Sequence, residues 1–196
     1  MNYIDKIMYI NLDRRIDRKE QIEGELSKFD LPYERFSAIP HKIGAVGCSK
    51  SHLEILKTAR NKGYKNILIF EDDFEFLVSR DIFLNNIKEF FESNIQFDVL
   101  MLAHCIVEAE FHNNLVDRAI KVHTTAGYIV NEGHYTTIIN SLEHYTPLLE
   151  ETNHHWLYSC DVIWHECQRN GNYYILKPTI GKQRPSYSDI SECYKS

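Results

Sequence analysis

The run Asn66-Ile67-Leu68-Ile69-Phe70 passes without a break into Glu71-Asp72-Asp73. So short and apolar a run reads as a strand, and its end is acidic. Three adjacent carboxylates carry a cost, because crowded like charges raise one another's pKa unless something neutralises them. The same strand logic recurs along the chain. Lys6 to Leu12 reads as a buried strand and Tyr33 to Ile39 as a shorter one. Phe97 to Leu102, Gly127 to Val130 and Tyr173 to Leu176 add three more. Between them lie segments of helical spacing: Arg15 to Phe29 with Ile22, Leu26 and Phe29, and Gly44 to Lys62 with Leu53, Leu56 and Ala59, closed by Gly63 as a C-cap. Asp81 to Glu92, about Gly133 to Leu142, and Trp156 to Arg169 read as further helices. Strands alternating with helices predict an α/β fold with a mostly parallel sheet. Ligands of such sheets bind outside the carboxyl ends of the strands. Asn11 to Arg18, after the first strand, and Glu71 to Asp73 therefore mark the expected site.

Composition narrows the function. The 196 residues carry a net charge of −6, with 43% apolar and 26% charged residues. That is globular composition and enough chain for one domain, expected over 1–196. The acidic balance excludes a general nucleic-acid binder but leaves room for a basic pocket around one phosphorylated ligand. No stretch approaches a transmembrane length, and the start lacks the basic and apolar regions of a signal peptide. A soluble chain, cytoplasmic or peripheral to a membrane, is expected. The five cysteines are odd in number and have no CxxC spacing, which fits reduced thiols. Zinc is not expected: Cys160, His165 and Cys167 lie close, but nothing nearby completes a familiar ligand pattern.

A hard divalent cation, Mn²⁺ or Mg²⁺, would relieve the carboxylate crowding. Strand alternation puts Glu71 and Asp73 on one side as candidate ligands and turns Asp72 to another partner; a solvated acidic turn is the alternative. Arg14, Arg15 and Arg18 stand at a helix start, where cations oppose the helix dipole unless an anion shares the site. A phosphate there would satisfy both guanidinium groups and backbone N–H groups, while an exposed turn with Asp–Arg pairs would not need one. Asp13 stands where an N-cap would stand, or could accept from a ribose or uracil. Cys48 and His52, four apart, are either a nucleophile pair or a buried Cys with a hydrogen-bonded His, the second being the plainer reading. The Gly44 to His52 segment is not a Walker A loop. Asp161, beside Cys160, Val162 and Ile163 on the Trp156 to Arg169 helix, has apolar neighbours that would desolvate it, which suits a base; a paired structural Asp capping a turn is the alternative, and Glu166 and Asp189 are weaker base candidates.

In order along the chain these motifs resemble glycosyltransferase family 25, the family of lipooligosaccharide galactosyltransferases and collagen hydroxylysine galactosyltransferases. Ile10-Asn11-Leu12-Asp13-Arg14-Arg15 with Asp17-Arg18 is similar to the family's opening signature. Gly47-Cys48 with Ser51-His52 resembles its G-C-x-x-S-H element, and Ile69 to Asp73 its E-D-D strand end. Phe97 to Leu102, Thr125 to Val130 and Cys160-Asp161-Val162 resemble three later elements, and Pro178 to Ile190 a late Q…S-D-I element. The chain is short for the family, and Ile43 to Cys48 lacks the family's Glu. The resemblance implies a GT-A-like, Rossmann-type sheet flanked by helices, and inverting transfer of a hexose, galactose first, from a UDP-sugar. It implies Glu71, Asp73 and Asp189 as ligands of Mn²⁺ or Mg²⁺. Asn11, Asp13, Arg15, Arg18, Ser51, His52, Asp72 and Gln183 would hold the donor, with the tail folded back over it. Asp161 would be the base. The implied partners are the nucleotide-sugar donor and a glycan or hydroxylysine-type protein acceptor. Two other readings remain open: an inactive nucleotide-sugar or glycan-binding module, and a metal-dependent nucleotidyltransferase. The second needs a basic Gly-rich loop after the first strand, and Asn11-Leu12-Asp13 has no Gly. The loops expected between about residues 103 and 124 and between 146 and 158 carry no motif that places an acceptor.

Overall fold

The apolar runs become strands, and eight of them join one sheet. In chain order the elements are β1 (Lys6–Asn11), α1 (Ile16–Lys28), β2 (Glu34–Ser37), α2 (Gly44–Lys62), β3 (Asn66–Glu71), β4 (Phe74–Phe76), α3 (Arg80–Glu92) and β5 (Val99–Met101). They continue with β6 (Cys105–Phe111), β7 (Val116–His123), β8 (Gly127–Asn131), α4 (Tyr135–Thr152), α5 (His155–Tyr158), α6 (Cys160–Asn170), β9 (Tyr173–Leu176) and β10 (Gly181–Gln183). β11 (Ser186–Ser188) and β12 (Cys193–Lys195) form a separate antiparallel pair. The computed structural model describes residues 2–188 and 193–195. Asp189 lies outside the described residues.

The sheet order is β2-β1-β3-β8-β5-β9-β7-β6. β8 and β7 run against the other six strands, so the expected α/β sheet of largely common direction stands. β2 and β3 lie on opposite sides of β1. The chain therefore reverses its winding at β1, and the carboxyl ends of β1 and β3 flank the crevice such a reversal opens.

Period-two alternation sorts the side chains to two faces. Met8, Ile10, Ile67, Ile69 and Val130 pack with Leu56 of α2, Ile138 and Leu142 of α4 and Trp164 of α6. Ile7, Tyr9, Leu68 and Phe70 pack with Ile22 and Leu26 of α1 and with Phe83 and Phe90 of α3. Helix ends follow local chemistry. Gly63 takes φ 67° after α2 and returns its N–H to Ala59 and Arg60 carbonyls, a left-handed cap. The Ser79 hydroxyl accepts from the Ile82 N–H at the start of α3.

Four expectations need correction. Asp13 does not cap α1: Arg15 is the capping residue and makes no side-chain cap bond. The helix expected to end near Leu142 continues through Pro147 to Thr152, because Leu149 beyond the proline is buried against Ala45 and Val46 of α2. The helix expected over 156–169 breaks at Ser159, whose extended backbone (ψ 154°) separates α5 from α6. Residues 103–124 hold a hairpin, β6 and β7, at the sheet's edge.

The chain after β9 turns back onto the segment that follows β3. β10 pairs antiparallel with β4, setting Gln183 opposite Phe74. The Phe74 ring is fully buried against two glycines. A Cβ on Gly127 would stand 2.6 Å from that ring and one on Gly181 2.2 Å from it. Gly127→Ala is therefore expected to lower unfolding free energy by about 1–3 kcal/mol through overpacking, read as a reduced denaturant midpoint with unchanged slope.

Candidate functional site

Asn11 ends β1, is almost wholly buried, and its amide spans the crevice. Its Nδ2 donates to the Arg15 carbonyl at 3.0 Å and to Asp72 Oδ2 at 2.8 Å. Arg35, from β2, donates to Asn11 Oδ1 at 3.1 Å and to the Asn11 carbonyl at 3.2 Å. Arg18 reaches across from the first turn of α1. Its Nη1 donates to Asp72 Oδ1 at 2.8 Å and to Asp73 Oδ2 at 3.2 Å. Gln183 of β10 donates to the same Asp73 oxygen at 3.0 Å, and the Arg184 N–H donates to the Asp73 carbonyl at 2.6 Å. One strand end, one helix start and the C-terminal segment thus close on the acidic loop.

The electrostatics follow from burial. Desolvation pushes the Asp72 carboxyl upward, opposed by Arg18 and by the Asn11 hydrogen bond. Desolvation, reinforced by the Glu71 charge, pushes Asp73 up to about 7 against the pull of Arg18 and Gln183. Asp73 Oδ1 is buried and has no hydrogen-bond partner among the described residues.

Glu71 belongs to a second cluster. β3 ends at Glu71 and a turn follows, so alternation stops there. The expectation that Glu71 and Asp73 point one way, with Asp72 opposite, is overturned: Asp72 and Asp73 share Arg18, while Glu71 continues the face of Ile67 and Ile69. Its Oε1 accepts from Thr125 Oγ1 at 2.5 Å and lies 3.2 Å from His52 Nε2. His52 Nδ1 is 2.6 Å from the Tyr128 hydroxyl. Burial works against the Glu71 charge, but His52, Thr125 and Arg18 outweigh it and hold the carboxyl below its ordinary value. Burial also opposes the charge on His52, yet Cys160 and Glu71 raise its pKa overall.

Asp161 sits in the first turn of α6 and is half-buried. Its Oδ1 accepts from Ser159 Oγ at 2.9 Å and its Oδ2 from the Thr124 N–H at 3.3 Å; His123 Nδ1 is 3.6 Å from Oδ2. The apolar surroundings expected for Asp161 are replaced by polar ones. The helix break at Ser159 is the reason, since it brings Asp161 to a helix end rather than mid-helix. Thr124 takes φ 76°, a left-handed conformation that costs a β-branched residue free energy and that Asp161 and the Ala126 N–H bond help to hold. Asp161 and Glu71 flank the Thr124-Thr125 pair.

Of the expected donor residues, Asn11, Arg18, Asp72 and Gln183 form one network. Arg15 lies beside it and forms a two-bond pair with Asp17, at 3.0 and 2.9 Å. Asp13 is exposed, and its Oδ1 accepts from Arg35 at 2.5 Å and from Ser37 at 2.8 Å. Ser51 needs correction as a donor contact. It is fully buried, its hydroxyl donating to the Gly47 carbonyl and accepting from the Ile39 N–H, so it holds the β2–α2 connection. His52 likewise is fully buried and supports Glu71 rather than lining the surface. Arg35, Thr125 and Tyr128 escaped the sequence reading. Arg35 lies in the short, partly exposed strand β2, and Thr125 and Tyr128 fall in an element that the sequence marks without giving either a role.

Asp73 Oδ1 is the buried carboxylate oxygen here that a hard divalent cation could take; the other Asp73 oxygen and Asp72 are held by Arg18. Glu71 would enter through its other oxygen, since Oε1 already meets Thr125 and His52.

No family model matches the chain, and no curated protein matches it by sequence. Solved structures do match. A glycosyltransferase involved in the glycosylation of the major capsid of PBCV-1 aligns at 11% identity and a TM-score of 0.54, covering 88% of this chain and 81% of that one. The chain has a glycosyltransferase-type fold. Two fainter likenesses are A197 from STIV and a mannose-1-phosphate geranyltransferase from Thermus thermophilus. The first aligns at 12% identity and a TM-score of 0.49 over 96% of this chain and 92% of that one. The second aligns at 7% and 0.48 over 91% of this chain, which spans 58% of the Thermus protein's length.

The raised Asp73 gives a signed pH prediction. The folded chain keeps this proton up to about pH 7, whereas the unfolded chain loses it near the ordinary carboxylate value. Stability therefore falls as pH rises through that window. Asp73→Asn removes the ionisation and should melt several degrees above wild type near pH 8, the gap shrinking as pH falls and closing below about pH 4, in a melting-temperature series. A variant less stable than wild type near pH 8 would show that Asp73 is favourably charged.

Proposed function

We propose that this chain is an inverting, metal-dependent glycosyltransferase that moves a hexose, galactose first, from UDP to a hydroxyl of a glycan or hydroxylysine-type acceptor. The observation that carries the reading is the Asn11–Arg18–Asp72–Asp73–Gln183 network. It lies at the carboxyl ends of β1 and β3, where the winding of the sheet reverses. The glycosyltransferase-type fold and the family 25 motifs in their family order support it.

In this reading the nucleotide lies over the loop after β1. Arg15 and Arg35, both half-buried, face its phosphates and ribose, and Asp13 accepts from a ribose or uracil group. Arg18 and Gln183 keep the acidic loop in place beneath the diphosphate. Asp73, with Glu71, would hold Mn²⁺ or Mg²⁺, which when bound supplies Lewis-acid stabilisation of the leaving diphosphate. The acceptor oxygen forms a bond to the sugar's anomeric carbon as the bond from that carbon to the β-phosphate oxygen breaks, and UDP leaves with the electron pair. Asp161 takes the acceptor hydroxyl's proton. Ser159 and the Thr124 N–H aim its carboxylate, and each oxygen has lone-pair capacity beyond these bonds.

The test is turnover of a UDP-hexose panel with glycan and hydroxylysine-peptide acceptors, read as released UDP and as product mass. Asp161→Asn is expected to lower kcat by ~10²–10⁴ while UDP affinity by calorimetry stays unchanged. Full turnover in excess EDTA would remove the cation from the reading. A chain that binds UDP-sugar tightly but converts no acceptor would be a binding module instead.

A further inference from the structure

The N-terminal half of α2 and the start of α6 bring three metal-ligating side chains together. Cys48 and His52 are four residues apart on one face of α2. Cys160, 112 residues from Cys48, is the first residue of α6. The ligand atoms of Cys48, His52 and Cys160 all lie within 4.8 Å of one another. We propose that these three side chains form a binding site for a thiolate-preferring divalent cation of the zinc class. The site does not rest on the transferase reading.

The sulfur spacing fits a zinc-class ion. Tetrahedral zinc with Zn–S bonds of about 2.3 Å sets two sulfurs about 3.8 Å apart; Cys48 and Cys160 Sγ are 4.0 Å apart. An outer layer is already present. The Tyr128 hydroxyl meets His52 Nδ1 at 2.6 Å, which fixes the ring and directs Nε2 to the cluster. Thr125 Oγ1 donates to Glu71 Oε1 and lies 3.3 Å from Cys160 Sγ. Cys160 and His52 are buried and Cys48 is half-buried. On binding, the two thiols lose their protons to solvent and the imidazole stays neutral. Soft sulfur ligands separate this site from the all-oxygen Asp73 locus, which suits Mg²⁺ or Mn²⁺.

The test uses the full chain, reduced and stripped of metal, titrated with Zn²⁺ against a chromophoric chelator. One ion per chain is expected. Co²⁺ in its place should give a near-ultraviolet thiolate charge-transfer band. Cys48→Ser and Cys160→Ser should each weaken binding at least about 100-fold, and Cys167→Ser, on the same helix but outside the cluster, should not. Should a serine variant fail to fold, the wild type still decides the matter: Zn²⁺ must protect Cys48 and Cys160 from alkylation, as located by peptide mapping. Absence of stoichiometric binding, protection of other thiols, or binding that survives both serine variants overturns the site. None of these readouts depends on sugar transfer, so failure here leaves the transferase reading as it stands.

Discussion

Arg18 holds the loop after β3 in its only useful shape. Its guanidinium lies against Asp72 and Asp73, and all three side chains are almost wholly out of water. Two adjacent buried carboxylates would otherwise repel one another and lose their hydration. Removing one partner of such a buried pair leaves an uncompensated charge, which costs about 3–5 kcal/mol where it has been measured. The apolar strand can therefore end in acid only because α1 delivers a cation to that point. In turn α1 is anchored there by Asn11, which joins the Arg15 carbonyl to Asp72. The β1–α1 connection and the β3 end thus depend on one hydrogen-bonded unit.

On the other face of the sheet the acidic run meets different chemistry. Glu71 leaves β3 in register with Ile67 and Ile69, so it inherits their side, where α2 and α6 bring imidazole and thiol groups. The sheet thus separates a hard, all-oxygen environment at Asp73 from a mixed nitrogen and sulfur environment at Glu71. The two are close enough for the Glu71 charge to raise Asp73. Occupancy of either proposed site would thereby change the electrostatics of the other, in the direction that any cation near Glu71 favours the ionised form of Asp73.

What could be read along the chain and what could not divide by the range of the interactions involved. β3 and β9 declare themselves through unbroken apolar runs, and α2 through its spacing and Gly63. Asn11, Arg18 and Asp72 were legible as site residues because they follow strand ends. Their actual partners were not, since Arg18 and Asp72 are separated by 54 residues. β6 was missed for a physical reason: it is an edge strand exposed along its whole length, so burial imposes no alternation on it. β7 packs with a period nearer three than two, which hides it equally well. Ser51 misled because a small hydroxyl at the start of a helix has the same appearance whether it faces a ligand or closes a loop. Cys160 misled in the opposite sense, since its companions in sequence, His165 and Cys167, are not its companions in space.

The surroundings of Asp161 are shaped by what these long-range contacts leave in place. The break at Ser159 frees α5, where Trp156 and Leu157 stand exposed, and begins α6 at Cys160-Asp161. A continuous helix over 156–169 would have carried Asp161 on its flank with no extended residue before it to supply the Ser159 hydroxyl. It would also have had no free first-turn position facing the Thr124 N–H. Thr124 reaches that N–H geometry only in a left-handed conformation, so two irregularities, one in each segment, meet at a single carboxylate. Neither is demanded by the packing of the sheet, whose core residues Tyr128 to Val130 and Ile163-Trp164 lie beyond them on either side. Backbone strain of this kind persists where surrounding contacts over-determine it. Here the contacts that do so are those of Asp161 itself, which ties the position of the proposed base to a strained β-branched residue in the neighbouring segment.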